Sequence, residues 1–437
     1  MKRVLLFKLV TVILFISVLL PLASFSRASP EEVTIEMWDG LGGGDGYVMD
    51  MLVNEFNDRF AGKIKVVRVM QGPWDQVYAK VTAAYKAGAG LPDLIIMHIT
   101  EIPIFAGNAV KEIDDLVSKY NIDLNIFDQK ILEGCRWEGK LYCLPWDLHP
   151  YGMYINVDIF KEYKIPIPKS FEIDSLDKLL EFLRMIKEKV KGTEIWPTAI
   201  ENAGWGGVWQ WYSFINGSFL TPDLKKPDMR RPDILAAFKF LETLSREELA
   251  PQELDYVTMI DMFGGGEIAV LIHGPWLQAT WDQIPGLSYA VIPVKLNLWA
   301  SSHYIFFTKA NGEERTKAAV EFVKWLLRPE NNGRWGQYAG HVPATKAGRT
   351  YPPYTSIPAR LGFAKQADSG YWHYLPLHIG IWEMHTKCFL PSIQKLMRLE
   401  ITAEEAVSET EACIAEVLAT YKAVSYTHLT LPTTERV

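Results

Sequence analysis

Cysteine is scarce in this chain, with four in 437 residues. Neither a disulfide scaffold nor an array of zinc fingers is available. Positive charge is also in deficit. Forty-five Lys and Arg stand against 52 Asp and Glu, giving a formal charge of −7 and a pI near 5.8, which argues against a nucleic-acid footprint. After the N-terminus, no apolar run is long enough to cross a bilayer, and no internal repeat is visible. Catalytic signatures are missing too: there is no G-x-S-x-G elbow, no H-E-x-x-H and no Walker loop. Gly42-Gly43-Gly44 is out of register for a dinucleotide loop. Gly264-Gly265-Gly266-Glu267-Ile268-Ala269 has the spacing but precedes a strand, whereas such a loop follows one. Among nine His, the paired spacing of His373 with His378 and His385 defines no ligand set. No cofactor and no metal are expected.

What remains is an ordinary globular balance, 49% hydrophobic and 22% charged, in a length that fits two domains or one two-lobed unit. The first residues read as an address. Lys2, Arg3 and Lys8 precede the apolar run Leu9 to Leu22, and Ser26-Arg27-Ala28 offers small residues at −3 and −1 of a cut after Ala28. The run is short for the ~20 residues of a membrane anchor, and no Cys follows it to carry a lipid. A cleavable signal peptide over 1–28 is expected, with a periplasmic or secreted product. Its removal takes Lys2, Arg3, Lys8 and Arg27 with it, and the formal charge falls from −7 to −11. Such a surface repels nucleic acid and anionic lipid and suits neutral or cationic ligands.

Alternation of Val33, Ile35 and Met37 predicts a strand over 33–38, followed by a glycine-rich loop over 40–46. Val48, Leu52, Phe56 and Phe60 predict an amphipathic helix over 47–60. A strand at Ile64 to Val69, a helix near 74–88 and a strand at Leu94 to Met97 complete a β-α-β-α-β order. That is the pattern of a parallel sheet with helices on its faces. Ligands of open sheets of this kind bind beyond the strands' carboxyl ends, here Trp38-Asp39, Gln71 and His98 to Glu101. Further on, helices are predicted over 175–190, 232–247 and 313–327. Strands are predicted over 268–273, 289–294 and 303–308. The last helix, about 403–421, opens on Thr402 and Glu405 in capping-box spacing. The tail Val424 to Val437 has no period of either kind and resembles translated sequencing-adaptor read-through rather than native sequence.

Cys135 and Cys143 flank a predicted hairpin turn at Trp137-Glu138-Gly139-Lys140. A disulfide between them is the favoured reading, and two buried thiols are the alternative. Cys388 and Cys413 fall in helical sequence, and their pairing stays open.

The abundant residues are aromatic: fifteen Trp, nineteen Tyr and twenty Phe. Trp325, on an apolar helical face, is a packing residue. Trp38, Trp74, Trp146, Trp205, Trp209, Trp211, Trp276, Trp299, Trp372 and Trp382 sit where strands end or loops begin. An indole face matches the C–H face of a sugar ring or holds a cation, and Asp39, Glu101 and Asp147 are nearby acceptors for hydroxyl groups. Each of these Trp residues taken singly serves equally well as core. For the set, stacking of a ligand on several is the better reading.

Several segments in order carry a family likeness. Val33 to Asp39 followed by Leu52-Val53-Asn54-Glu55-Phe56-Asn57 resembles an opening. Ala87-Gly88 with Pro92-Asp93-Leu94 is similar to a third-strand signature. Gly139 to Pro145 and Tyr154-Ile155-Asn156-Val157-Asp158 look like a first crossing toward a second lobe. Phe263 to Trp276 ends in Gly-Pro-Trp. Phe322 to Leu327, Gly340-His341-Val342-Pro343-Ala344 and Thr402 to Ala406 resemble the late elements. In this order, over 33–422, the chain resembles the extracellular solute-binding proteins of bacterial ABC transporters, in the sugar-binding group that includes maltose-binding protein. The resemblance implies an α/β, two-lobed periplasmic-binding-protein fold, each lobe a mainly parallel sheet flanked by helices, hinged around a cleft. It implies a first lobe over 29–145 that returns in about 300–345, a second over 146–299, and a C-terminal helical segment over 346–423 spanning lobes and hinge.

By position, the resemblance implies ligand contacts from Asp39, His98 and Glu101 after the first and third strands, stacking by Trp276 and Trp382, and cleft positions for His149 and Trp205. Trp38, Trp74, Trp146, Asp147, Trp209, His303 and Trp372 complete the candidate set. Trp146-Asp147 and the cluster Trp205, Trp209 and Trp211 depart from the general pattern and point to a particular ligand. The expected function is capture of a carbohydrate, an oligosaccharide for choice, by a monomer. The protein then delivers it to ABC permease subunits, without chemistry and without nucleic acid. Alternatives are a secreted glycan-cleaving hydrolase, which needs two carboxylates across the scissile bond, and a receptor for a polyamine or glycerol phosphate. The last is disfavoured by the scarcity of Lys and Arg at the strand ends.

Overall fold

The computed structural model describes residues 32–424 except 89, 205, 310 and 311. The expected signal peptide, the tail from 425 onward and Trp205 therefore lie outside the described residues.

The first body is built on a five-stranded sheet. Val33–Asp39 lies between Ile64–Met70 and Leu94–His98, both parallel to it, and His303–Phe307 then Cys143–Pro145 extend the sheet antiparallel. The apolar run of Leu94–His98 is buried on both faces, as a central strand covered by helices requires. Helices Gly43–Arg59, Trp74–Ala87 and Glu313–Leu326 bury Leu52, Phe56, Val77, Val81, Phe322 and Val323 against it. The first helix starts earlier than predicted, inside the glycine run. Gly42 caps it in extended conformation and Gly43 takes φ +54°, a value that favours glycine. Gly88, in the left-handed conformation, ends the second helix as read from the sequence.

The second body has a smaller sheet, Tyr289–Ile292 and Val270–His273 on either side of Gly152–Asn156. Helices Leu176–Lys189 and Pro232–Arg246 cover it. Ala403–Val424 packs there as well, with the Thr402–Glu405 capping box formed.

Between the bodies, Asp147–Pro150 pairs antiparallel with Leu298–Ser301 on one side and Val342–Pro343 on the other. Cys143–Pro145, Asp147–Pro150 and Gly152–Asn156 thus carry the chain from the first sheet, through this junction, into the second. Leu298–Ser301 and His303–Phe307 carry it back. Two crossings lie side by side, and they bring residues near 149, 301 and 342 together. The architecture is the two-lobed one that the resemblance implied, but the second sheet is antiparallel rather than mainly parallel, since Gly152–Asn156 pairs antiparallel with both of its neighbours.

The cysteines pair differently from the expectation. The hairpin forms, with Arg136–Trp137 against Lys140–Leu141 and positive φ at Glu138 and Gly139. Its register sets Tyr142, whose amide donates to the Cys135 carbonyl (2.9 Å), opposite Cys135. Cys143 is one residue out of step with Cys135; the two thiols are hydrogen-bonded neighbours that are not joined. Both remain buried thiols, and burial pushes both pKa values up. The bonded pair is Cys388–Cys413, with Cα atoms 5.5 Å apart, tying the irregular helix Met384–Phe389 to the last helix. Among the described residues no helix is long and apolar enough to cross a membrane.

Candidate functional site

A cavity of about 710 Å³ opens between the two bodies. The first body supplies Gly40, Leu41, Gly42 and Asp45 after its first strand, Trp74 and Tyr78 from the second helix, and His98 and Thr100 after the third strand. The second body supplies Trp209, Tyr256 and Trp276, the C-terminal segment Trp382, Glu383, Thr386, Lys387 and Tyr421, and the junction His149, Trp299, Ser301, His303 and His341. Of the strand ends named from the βαβαβ order, His98 and Thr100 line the cavity, and the rest of the first body's wall comes from the loop and helix after the first strand and from the second helix.

Two glycines seat two of the indoles. A Cβ on Gly40 would lie 2.8 Å from the Trp74 ring, and one on Gly274 would lie 2.0 Å from the Trp276 ring. Each indole rests on bare backbone, one on either side of the cavity. Trp74 also stacks on His303 at 5.2 Å, and Trp276 meets His149 edge-on at 5.6 Å. Trp209 stacks on Trp299 (4.4 Å, 19°), and Trp382 stands edge-on to Trp209 at 5.6 Å. Trp382 is held by its Nε1, which donates to Glu101 Oε1 (2.6 Å).

Of the residues read from sequence, Trp74, His98, His149, Trp209, Trp276, His303 and Trp382 line this cavity. The rest of the described candidates lie off its wall. Trp38 donates its indole N–H back to Glu36. Asp39 is fully buried and spends its carboxylate on Arg68 (two bonds of 2.7 Å) and the Leu41 amide. Glu101 lies behind Trp382. Trp146 packs on Trp335 inside the first core. Trp372 is buried, its indole donating to the Ala367 carbonyl, with the Lys130 ammonium 4.0 Å from its ring centre. Trp211 is core against Phe238 and Phe389, and Trp325 is core as expected. Trp299, Tyr256, His341 and Asp45 were not singled out as site candidates. Trp299 carried only the general signal of a Trp at a strand, and His341 carried none, being solitary in sequence.

Asp147 lies beneath the wall, at the centre of an imidazole cluster. Its Oδ1 accepts from the His303 amide (2.7 Å), and its Oδ2 is 2.8 Å from His303 Nδ1 and accepts from Trp335 Nε1 (3.0 Å). Burial pushes its carboxyl up, but the imidazoles of His303, His341 and His149 outweigh this and hold it well below the usual range. Burial, with the neighbouring His303, keeps His98 and His149 neutral well below their ordinary value. His341 moves the other way: burial lowers it, while Asp45, 3.0 Å from its Nε2, and Asp147 raise it further.

Two of the three acids on the cavity wall are engaged, and the third, Asp75, is exposed. Asp45 holds His341, and Glu383 accepts from Lys387 and from the Tyr421 hydroxyl (3.1 Å). The surface is broad and aromatic, with hydroxyls and carboxylates at its edge. Surfaces of this kind can stack apolar C–H faces or hold cations over their rings.

The profile of the bacterial extracellular solute-binding protein family matches residues 51–361. The chain belongs to that family. Solved structures agree with this solute-binding protein in fold. The sugar-binding protein MalE from Xanthomonas citri is 17% identical with a TM-score of 0.77, covering 90% of this chain and 100% of its own. UgpB from Mycobacterium tuberculosis, in complex with glycerophosphocholine, is 15% identical with a TM-score of 0.75 (89% and 99% covered). The substrate-binding protein Lmo0181 from Listeria monocytogenes, in complex with cycloalternan, is 16% identical with a TM-score of 0.72 (89% and 99%).

Proposed function

We propose that this solute-binding protein captures a carbohydrate, an oligosaccharide for choice, between its two bodies and delivers it to the permease subunits of an ABC importer. One observation carries the reading. Five indoles, Trp74, Trp209, Trp276, Trp299 and Trp382, line a single cavity together with hydroxyl, carboxylate and imidazole partners. Sugar rings offer apolar C–H faces to such platforms and equatorial hydroxyls to such partners. The volume suits more than one ring. The protein acts without chemistry: of the three acids in the described lining, Asp45 and Glu383 are held by His341, Lys387 and Tyr421, which leaves Asp75 with no second unengaged carboxylate to complete an acid–base pair. A phosphate-bearing solute fits less well, because Lys387 is the one Lys or Arg of the described lining and it is paired with Glu383. The crossings near 146–152 and 298–303 serve as the hinge, and ligand favours closure by touching both bodies at once. The leader 1–28 directs export, and the mature monomer works in the periplasm or outside the cell.

The test uses residues 29–423, with intrinsic Trp fluorescence and melting temperature followed together over mono- and oligosaccharides, polyamines and glycerophosphocholine. A saturable quench and a raised melting point with an intact oligosaccharide is the expected result. Cleavage of a glycan would establish a hydrolase. A response to polyamine or glycerophosphocholine alone would overturn the carbohydrate assignment.

A further inference from the structure

Asp147 and His149 lie two apart on one strand, so both side chains leave the same face. His149 pairs in register with Ser301, two residues before His303, while Val342, next to His341, pairs with Leu148. The junction sheet therefore gathers four side chains from three distant segments. One donor atom from each of Asp147, His149, His303 and His341 lies within 4.8 Å of the other three. All four residues are buried, none more than 3% exposed.

Their hydrogen bonding is incomplete in a particular way. Among the described residues neither ring nitrogen of His149 has a partner, and neither has His341 Nδ1. Those nitrogens face the carboxylate: His149 Nε2 is 3.9 Å from Asp147 Oδ1, and His341 Nδ1 is 3.8 Å from Oδ2. These separations are too long for hydrogen bonds, and buried polar atoms left unpaired are costly. Two of the four residues, in contrast, have their outer contacts made. His341 Nε2 is fixed by Asp45, and Asp147 by Trp335 Nε1 and the His303 amide. An imidazole whose far nitrogen is anchored by a carboxylate, with its near nitrogen free, is the usual arrangement of a metal ligand and its outer partner.

We propose that Asp147, His149, His303 and His341 form a binding site for one divalent transition-metal ion of the zinc class. Three imidazoles and one carboxylate are a donor set that such ions accept in four-coordinate geometry. Bonds of about 2.0–2.2 Å require the donors to draw together by about an ångström, within reach of small side-chain rotations. His303 would bind through Nδ1 as the tautomer protonated on Nε2, exchanging its hydrogen bond to Asp147 for the shared ion. Because His149, His303 and His341 also line the cavity, the ion is reached through the cleft. The inference does not depend on which solute the cavity holds.

The experiment is a titration of the full mature chain, first stripped with EDTA and with no sugar present. Zinc chloride is followed by calorimetry and melting temperature, and cobalt chloride by visible absorption. One equivalent bound, a raised melting point and the intense visible bands of four-coordinate cobalt are expected. His149→Ala and, separately, His341→Gln should each weaken zinc binding by at least about tenfold, with circular dichroism reporting on folding. Absence of saturable zinc binding to the native chain would overturn the proposal. So would binding that both folded variants retain, or a six-coordinate cobalt spectrum. A failed sugar panel leaves this result untouched.

Discussion

Gly274→Ala adds one methyl group directly beneath the Trp276 ring. An ideal Cβ there lies 2.0 Å from Cζ3, 2.1 Å from Cη2 and 2.5 Å from Cε3, where ordinary contact begins at 3.4 Å. The ring must retreat by about 1.4 Å, and a gap of even ~1 Å forfeits roughly half of each dispersion well. The backbone itself is at φ −78°, ψ 163°, which alanine adopts freely, so the fold is not the target. If Trp276 is a sugar platform, affinity should fall by about 1–3 kcal/mol, a five- to 150-fold weakening. Trp276→Ala should cost a similar amount, and the double variant little more than Trp276→Ala alone, because both changes remove one contact. Calorimetric titration of the tightest-binding oligosaccharide against all four proteins decides it. Wild-type affinity in a folded Trp276→Ala variant refutes the platform. Wild-type affinity in Gly274→Ala alone refutes the positioning role of the glycine.

Trp299→Ala and Trp211→Ala should each cost about 3–5 kcal/mol of stability, read by urea denaturation. Only Trp299→Ala should also weaken solute binding, since Trp209 loses the ring it stacks on. Burial lifts Glu201, against the opposing pull of the Gly206 amide, from 4.5 to about 7. A raised folded value means stability is full below about pH 4.5 and is lost as pH rises through about 7, on the order of 3 kcal/mol in all. Glu201→Gln should flatten that part of the pH–stability profile, and an unchanged profile would remove Glu201 as its source. Asp39→Asn should lower stability by about 1–3 kcal/mol, because Arg68 loses its buried carboxylate but keeps Asp50 and the Gly46 and Leu41 carbonyls, and an unchanged stability would contradict the pairing.

Much of this fold was legible from local pattern. The alternation at Val33 to Met37, the four-residue spacing of Leu52, Phe56 and Phe60, and the Gly88 stop each follow from one element's own period or backbone freedom. The same order located His98 at a strand end, where it lines the cavity. The glycine run was harder to read. Gly43 and Gly44 join the first helix, and there Gly44 packs close to Ala279, 235 residues away, a contact invisible to any window of sequence.

Trp shows where local reading stops. Trp146 and Trp276 each border short strands in the sequence, yet one is sealed against Trp335 and the other opens onto the cleft. An indole serves equally well in a core and on a platform, so only the neighbours decide. The same holds for the cysteines: Cys388 and Cys413, 25 residues apart, meet only because the helix Met384–Phe389 packs against the last helix. By itself the sequence determined the element types and the aromatic wealth, because these depend on periodicity and composition within single segments, while the two-lobed class was implied by the ordered family likeness. The tertiary structure alone decided which indoles share a wall, that Asp39 serves Arg68, and that His149, His303 and His341 converge on Asp147. Those are contacts between segments brought together by strand pairing.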